Sequence, residues 1–247
     1  MLIERLLKVA LLGSEWVLYL LLFLSVVSIA TMLDRWIYFA RRRDDLDRLR
    51  QDLTRHLHAE DLPGVIARLE ASRSNEARIV RRALRWVAGG AEGFADAVES
   101  ELGSTKKELE RGLNLLGTLG NNAPFIGLLG TVLGVIISFK ALGNTGQNSG
   151  AMGDVMSGIS EALVATGVGL AVALPAVVAY NIAQKRIGDI EADTLSLAKL
   201  VTAALKAYPG LLLTPVAADE ALPDATEAEE SEAGSLSSKD ASAVGTA

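Results

Sequence analysis

The chain has 247 residues, of which 50% are hydrophobic, 22% are charged and none is cysteine, with a formal net charge of −6. The absence of cysteine excludes disulfide scaffolds and thiol catalysis, and the two histidines argue against a His-based triad or metal site. The negative charge argues against nucleic acid as a partner. A mean hydropathy of +0.30 with only 5% aromatic residues favours closely packed helices over an ordinary soluble enzyme.

Three windows lack any Asp, Glu, Lys or Arg: residues 16–33, 112–139 and 162–184, with 18, 28 and 23 residues. An α helix rises about 1.5 Å per residue, so roughly 20 apolar residues cross a hydrocarbon core of about 30 Å. The sequence therefore predicts an all-α integral membrane protein with three transmembrane helices. Buried helices of a large soluble protein are the less favoured alternative.

The distribution of basic residues predicts the orientation of these helices. Charge is balanced before the first window and four arginines follow it closely, which argues against a cleaved signal peptide. Residues 34–111 hold 16 of the 24 Lys and Arg residues, residues 143–160 hold none, and Lys185 and Arg186 follow the third window. Because Lys and Arg concentrate on the cytoplasmic side, we expect an N-out, C-in topology.

Seven segments follow from this topology. They are an N-terminal segment with the first transmembrane helix (1–34), a cytoplasmic helical domain (35–111), the second transmembrane helix (112–142), a periplasmic loop (143–160), the third transmembrane helix (161–184), a cytoplasmic helix (185–208) and a disordered acidic tail (209–247). The tail holds eight acidic residues and one basic residue, a net charge of −7. It either tunes an interaction or keeps the terminus solvated.

The cytoplasmic domain carries helix signals. Leucines recur at helical spacing at 46, 49, 53 and 57, Asp61 followed by Pro63 indicates a helix start, and Gly89-Gly90 indicates a break. From about Glu92 the pattern predicts a long helix that continues into the second crossing, so that long helices project into the cytoplasm. Five arginines form a basic run, interpreted as a solvated face or a contact with anionic lipid: Arg73, Arg78, Arg81, Arg82 and Arg85.

Small and hydroxyl residues form one face on each of the last two transmembrane helices. On the second helix this face is Gly127, Thr131, Gly134 and Ser138, with Gly130 and Gly134 in a GxxxG spacing that permits close helix approach. On the third helix it is Ala162, Thr166, Gly169, Ala173 and Ala176. Either Thr131 and Thr166 line a narrow passage, or each hydroxyl bonds a preceding carbonyl of its own helix.

Glu161 stands at the outer end of the third helix, about 140° around it from Thr166. It either marks the mouth of a passage or interacts with the macrodipole of a helix N-terminus. Lys140, near the outer end of the second helix, either pairs with Glu161 or extends outward. Pro175 is expected to kink the third helix and free a carbonyl. Since the membrane windows hold no carboxylate, an ion-conducting function would need a titrating group from another protein.

Two motifs then resemble a known family. Residues 123–134, APFIGLLGTVLG, resemble the APxxGLLGTVxG signature of the MotA/TolQ/ExbB proton-channel family. Residues 158–181, GISEALVATGVGLAVALPAVVAYN, resemble its second signature. The resemblance covers roughly residues 6–207, and the layout is closest to the TolQ branch, because MotA has four crossings and some ExbB members have a long external N-terminal extension.

The resemblance implies a multi-pass protein of the bacterial inner membrane that moves protons and needs no cofactor. It implies a pentamer around two single-span helices of a TolR/ExbD-like partner, which supplies an intramembrane Asp. It places Thr131 and Thr166 on the pore lining and Glu161 at its outer end, while Pro175 and Asn181 also match the motif.

The function expected from this resemblance is a stator subunit that converts proton motive force into work on the cell envelope. Relatives drive transport, envelope integrity or gliding motility, and the sequence does not distinguish these processes. The alternative is a non-conducting membrane scaffold that anchors envelope or cytoplasmic partners through the arginine-rich helices and the tail.

Overall fold

The computed structural model describes residues 15–145 and 151–208, which form helices joined by short turns. The elements are α1 (Glu15–Arg41), α2 (Leu46–His58), α3 (Leu62–Ala71), α4 (Asn75–Ala83), a 3₁₀ helix (Leu84–Gly89), α5 (Gly90–Leu109), α6 (Leu113–Thr145) and α7 (Ala151–Ala207). The all-α prediction is confirmed for these ranges. Three of the helices, α1, α6 and α7, are long and apolar enough to cross a membrane.

The apolar part of the molecule is a bundle of α1, α6 and α7. Helices α6 and α7 run antiparallel, since Gly120 meets Val177 near one end of their contact and Gly134 meets Ala162 near the other. Helix α1 packs on this pair through Val17, which is fully buried. Large apolar side chains on the outer faces of the three helices are exposed, as expected of a surface that meets lipid or other subunits.

Helices α2–α5 and residues 197–205 of α7 form a second, polar-surfaced unit, here called the helical lobe. Its core contains the leucines at 49, 53 and 57, which recur every four residues on one face of α2, so their predicted helix is confirmed. Three of its helices begin at side-chain caps: Asp45 accepts from the Arg48 amide, Asp61 from the Gly64 amide and Ser74 from the Ala77 amide. The predicted helix start at Asp61 is confirmed.

The prediction of one helix from about Glu92 into the second crossing is wrong. Helix α5 ends at Leu109 and α6 begins at Leu113, with Gly112 between them at a φ of 79°. Glycine adopts this left-handed conformation without a steric penalty, so the chain turns here. A Cβ at Gly112 would also lie 3.2 Å from the Thr31 Cγ2 atom, so this glycine allows α1 to pack closely. The predicted break at Gly89-Gly90 is confirmed, since the 3₁₀ helix ends there and Gly90 has a φ of 77°.

The predicted loop at residues 143–160 is largely helical. Helix α6 continues to Thr145 and α7 already begins at Ala151. Helix α7 also continues through the expected boundary at residue 184, so its 57 residues make a rod of about 85 Å. The N-terminal segment before Glu15 and the acidic tail at 209–247 lie outside the described residues.

Candidate functional site

Helices α6 and α7 touch through their backbones at a pair of glycines. A Cβ atom added at Gly127 would lie 2.8 Å from the carbonyl oxygen of Ala165, and one added at Gly169 would lie 2.7 Å from the carbonyl oxygen of Ala123. Real Cβ atoms do not approach carbonyl oxygens so closely, so any larger residue at either position forces the helices apart.

The glycine contact extends toward the end of the bundle that holds Glu161. A Cβ at Gly130 would lie 2.8 Å from the Ala165 Cβ, and one at Gly134 would lie 2.5 Å from the Ala162 Cβ. Four glycines named from the sequence, Gly127, Gly130, Gly134 and Gly169, therefore all lie in the contact between α6 and α7, here called the glycine seam.

The two threonines of the motifs differ in their hydrogen bonding. The Thr131 hydroxyl donates to the carbonyl oxygen of Leu128 at 2.7 Å, which is the local bond that a helical threonine commonly makes. The Thr166 hydroxyl oxygen is buried and has no hydrogen-bond partner among the described residues. Burying a hydroxyl without a hydrogen-bond partner costs free energy, and the isolated chain supplies no partner for this oxygen.

Thr131 and Thr166 lie at one level of the helix pair. Thr131 directly follows Gly130, which contacts Ala165, and Thr166 directly follows Ala165. The Cα atom of Thr166 would lie 3.0 Å from a Cβ at Gly127, one turn away on α6. The chain thus brings a free hydroxyl and a locally bonded one to the same segment of the glycine seam.

Glu161 is exposed on α7 and lies away from this segment. Because α7 begins at Ala151, Glu161 is in the third turn of the helix, so the interpretation of Glu161 as an acid at a helix N-terminus is wrong. The helix dipole acts mainly within the first turn. Lys140 is also exposed, and the two side chains do not form an ion pair with each other.

Pro175 and Asn181 lie on exposed positions of α7. Helix α7 is continuous through Pro175, so the proline does not end it, although its missing N–H removes one helical hydrogen bond.

Comparison with known proteins decides the family. The sequence model described as the MotA/TolQ/ExbB proton channel family matches residues 71–194, half of the chain, including the whole glycine seam. The chain belongs to the MotA/TolQ/ExbB family.

Named relatives agree with this assignment. The chain is 42% identical over 90 residues to the Tol-Pal system protein TolQ of Pseudomonas aeruginosa, covering 36% of this chain and 38% of that protein. It is 41% identical over 95 residues to the biopolymer transport protein ExbB of Salmonella typhimurium, covering 38% of each. It is 48% identical over 75 residues to the putative biopolymer transport protein ExbB-like 2 of Helicobacter pylori, covering 30% of this chain and 48% of that protein. Each match thus covers less than half of the relative's length.

Three of the five arginines in the run pair with acids, while Arg73 and Arg85 are exposed. Arg78, Arg81 and Arg82 form ion pairs with Glu108, Glu70 and Glu101 at 3.1, 3.4 and 3.5 Å. Glu108 also accepts a hydrogen bond from the Tyr38 hydroxyl at 3.3 Å, which connects α5 to the end of α1. The three ion pairs join helices within the lobe, and the Tyr38 bond links the lobe to the apolar bundle.

Sequence reasoning missed a buried carboxylate in the lobe. Glu76 of α4 is 0% exposed, and its nearest cation is Arg186 of α7, with Nη2 3.7 Å from Oε1. Burial raises the pKa of Glu76, and Asp193 adds to the rise, while Arg186 opposes it. The Glu76 amide and the Ser74 hydroxyl also oppose the rise, but neither has the geometry of a hydrogen bond to the carboxylate.

The sequence signal at Glu76 is an ordinary one. An acid two residues after a Ser N-cap reads as a favourable first-turn charge on an exposed helix. Its burial depends on contact with a residue 110 positions later, which sequence periodicity does not reveal. Over residues 15–145 and 151–208, no group of three or more His, Cys, Asp or Glu side chains is arranged to hold a metal ion.

Proposed function

We propose that this chain is the proton-channel subunit of an inner-membrane motor that converts proton motive force into work on the cell envelope. It acts with a single-span TolR/ExbD-like partner that supplies an intramembrane Asp. Membership of the MotA/TolQ/ExbB family and the TolQ and ExbB relatives support this proposal. The process driven is transport, envelope integrity or gliding motility, according to the partners.

The proposed arrangement has three crossings, N-out and C-in, with the helical lobe in the cytoplasm and five copies of the chain around the partner helices. The exposed apolar faces of α1, α6 and α7 offer the surface for the other copies and for lipid. Basic residues collect in the segment that this topology places inside.

The observation that carries the proposal is the buried Thr166 hydroxyl without a partner, set in the glycine seam of the family motifs. A hydroxyl with free donor and acceptor capacity can bond water or the partner's carboxyl group in the assembled channel. Thr131, at the same level, adds a second hydroxyl, and Glu161 stands at the outer mouth. The described membrane helices hold no central acid, so the partner's Asp would bind the proton during transfer.

The test uses the chain co-purified with a single-span protein that bears one intramembrane Asp. The complex is reconstituted into vesicles that contain a pH-sensitive dye, and proton uptake is followed under an imposed gradient. Thr166→Ala is expected to lower proton flux, while Thr166→Ser retains most of it. Thr118→Ala is the matched control. Thr118 lies on α6, is exposed, and its hydroxyl donates only to the Asn114 carbonyl oxygen of the same helix at 2.7 Å.

Proton flux at the wild-type level in Thr166→Ala would show that the Thr166 hydroxyl is not part of the proton pathway. A wild-type complex that leaks no more than empty vesicles would reject the channel and favour the scaffold function. One feature favours that alternative: an open surface pocket of about 400 Å³ in the helical lobe is lined by Arg82, Arg85, Trp86 and Glu101, and Trp86 is 65% exposed, as suits a docking partner. If the chain is a scaffold, Trp86→Ala is expected to weaken binding of that docking partner.

A further inference from the structure

Buried polar atoms without hydrogen-bond partners collect where α4 packs on α7. Eight such atoms occur among the described residues, and two of them, on Ser28 and Thr166, lie in the apolar bundle. The other six belong to five residues of α4 and of the part of α7 beyond the third apolar window: Asn75, Glu76, Arg78, Arg186 and Thr194. Both oxygens of the Glu76 carboxylate are among the six. Buried polar groups almost always have partners, so a cluster of this size marks a place that takes up water or a ligand.

The charges around Glu76 come from three parts of the fold. From α7, Arg186 lies 3.7 Å away, and Asp193 acts on the carboxylate with the opposite sign. From its own helix, the neighbouring Asn75 side chain accepts from Arg78 at 3.3 Å. From the turn after α1, Arg42 donates to the same Asn75 oxygen at 3.1 Å.

The acids of the other two neighbouring helices, α5 and α3, pair with arginines and do not contact Glu76. On α5, Glu108 binds Arg78 at 3.1 Å, and on α3, Glu70 binds Arg81 at 3.4 Å. Arg42 and Arg78 are both half-buried. They form a polar connection from the buried Asn75, the chain neighbour of Glu76, to the surface of the lobe.

The chemistry of the site selects its ligand. A metal cation is disfavoured, because the Arg186 guanidinium already stands beside the carboxylate and no cluster of metal-ligating side chains surrounds it in the described residues. A charged carboxylate that is fully buried and accepts no hydrogen bond is costly, and protonation removes most of that cost. A proton is therefore the ligand that fits.

We propose that Glu76 is a proton-binding site inside the fold: its carboxylate takes a proton from hydronium, releasing water, and the neutral acid no longer holds Arg186. Arg186 is the second residue after the third apolar window, on the same helix as Thr166. Proton binding at Glu76 thus changes how the helical lobe holds α7 at Arg186. The proposal does not depend on the chain conducting protons.

The test is a pH titration of the full chain in lipid nanodiscs, followed by infrared difference spectroscopy of carboxylic-acid C=O bands. The wild type is expected to show one band of a weakly hydrogen-bonded acid, which persists to higher pH than the bands of exposed acids. Glu76→Gln is expected to lack this band. Glu70→Gln is the matched control, because its side chain is 56% exposed and pairs with Arg81, and it is expected to retain the band.

Two further variants test the site without altering Glu76. Arg186→Gln removes the cation that favours the carboxylate and is expected to raise the midpoint of the band by about one pH unit. Asp193→Asn removes a like charge and is expected to lower the midpoint. A band that survives in Glu76→Gln, or midpoints that do not move in either neighbour variant, would overturn the proposal. Should Glu76→Gln fail to fold, the two opposite shifts decide the question.

Discussion

Gly127 and Gly169 face each other across the contact of α6 and α7 so closely that a Cβ at Gly169 would lie 3.1 Å from the Cα of Gly127. Each glycine also faces the backbone of the opposite helix, which cannot move aside as a flexible side chain can. The two helices carrying the family motifs are thus held at backbone contact, and this sets where Thr131 and Thr166 lie.

The first prediction concerns this contact. Gly169→Ala is expected to destabilise the chain by about 1–3 kcal/mol, because the new methyl group overlaps the Ala123 carbonyl and the helices must separate. Thermal unfolding of the purified chain in detergent measures the effect. Gly167→Ala on the same helix is the control, since a Cβ there meets nothing within 4 Å. Equal loss of thermal stability in both variants would show that the helix contact at Gly169 is not closer than the surroundings of Gly167.

The second prediction separates stability from function at Thr166. Thr166→Val keeps the side-chain shape but removes a buried hydroxyl without a partner, so it is expected to stabilise the isolated chain by about 1 kcal/mol. The same variant is expected to lower proton flux in the reconstituted complex. Thr131→Val loses a satisfied bond to Leu128 and is expected to gain no stability. A destabilised Thr166→Val chain would mean that the hydroxyl has a partner within it.

The third prediction concerns the outer acid. Glu161→Gln is expected to reduce proton flux by a few-fold at most, because Glu161 is exposed and does not share the buried position of Thr166. Substitution of the partner's intramembrane Asp by Asn is expected to abolish flux. Both are measured in the same vesicle assay. Complete loss in both variants would instead make Glu161 an essential proton carrier.

The fourth prediction follows from the raised pKa of Glu76. The usual value for glutamate is 4.5, and the folded chain holds the proton more tightly than the unfolded chain does. Between 4.5 and the raised pKa the folded state binds more protons, so the contribution of Glu76 to stability is full below this window and is lost as pH rises through it. Glu76→Gln is expected to flatten this part of the stability profile, as measured by unfolding at a series of pH values.

An acid with the opposite shift serves as the control for this pH dependence. The Gly64 amide and His56 lower the pKa of Asp61, which caps α3. Its contribution to stability is therefore present at higher pH and is lost as pH falls through the lowered pKa. Asp61→Asn is expected to change the acid end of the profile and to leave the fall attributed to Glu76 in place. If Asp61→Asn also abolishes that fall, Glu76 is not its source.

Local signals in the sequence were enough for the three apolar helices, for α2 and for the start of α3 at Asp61. The leucine spacing of α2, the Asp61 cap and the uncharged windows each rest on near neighbours in the chain. The small residues of the glycine seam were also visible, because a face of Gly and Ala in a membrane helix has few other uses. Family motifs then added the roles expected of Thr131 and Thr166.

Features that depend on tertiary contacts were missed. The turn at Gly112 was not predicted, because a single glycine within a helical pattern is often tolerated. Glycine is needed here partly because Thr31 of α1 packs closely against this position. The burial of Glu76 depends on Arg186, and the free hydroxyl of Thr166 depends on how α6 lies against it. None of these contacts leaves a periodic trace in the sequence.

Helix α7 runs without interruption from Ala151 to Ala207, past the glycine seam and Arg186, into the core of the helical lobe at Val201. An α helix resists twisting about its axis, because every turn is tied to the next by backbone hydrogen bonds. A small rotation of α7 at Thr166 would therefore arrive at Val201 as a torque on the lobe. Helix α7 can therefore transmit rotation from the apolar bundle to the helical lobe.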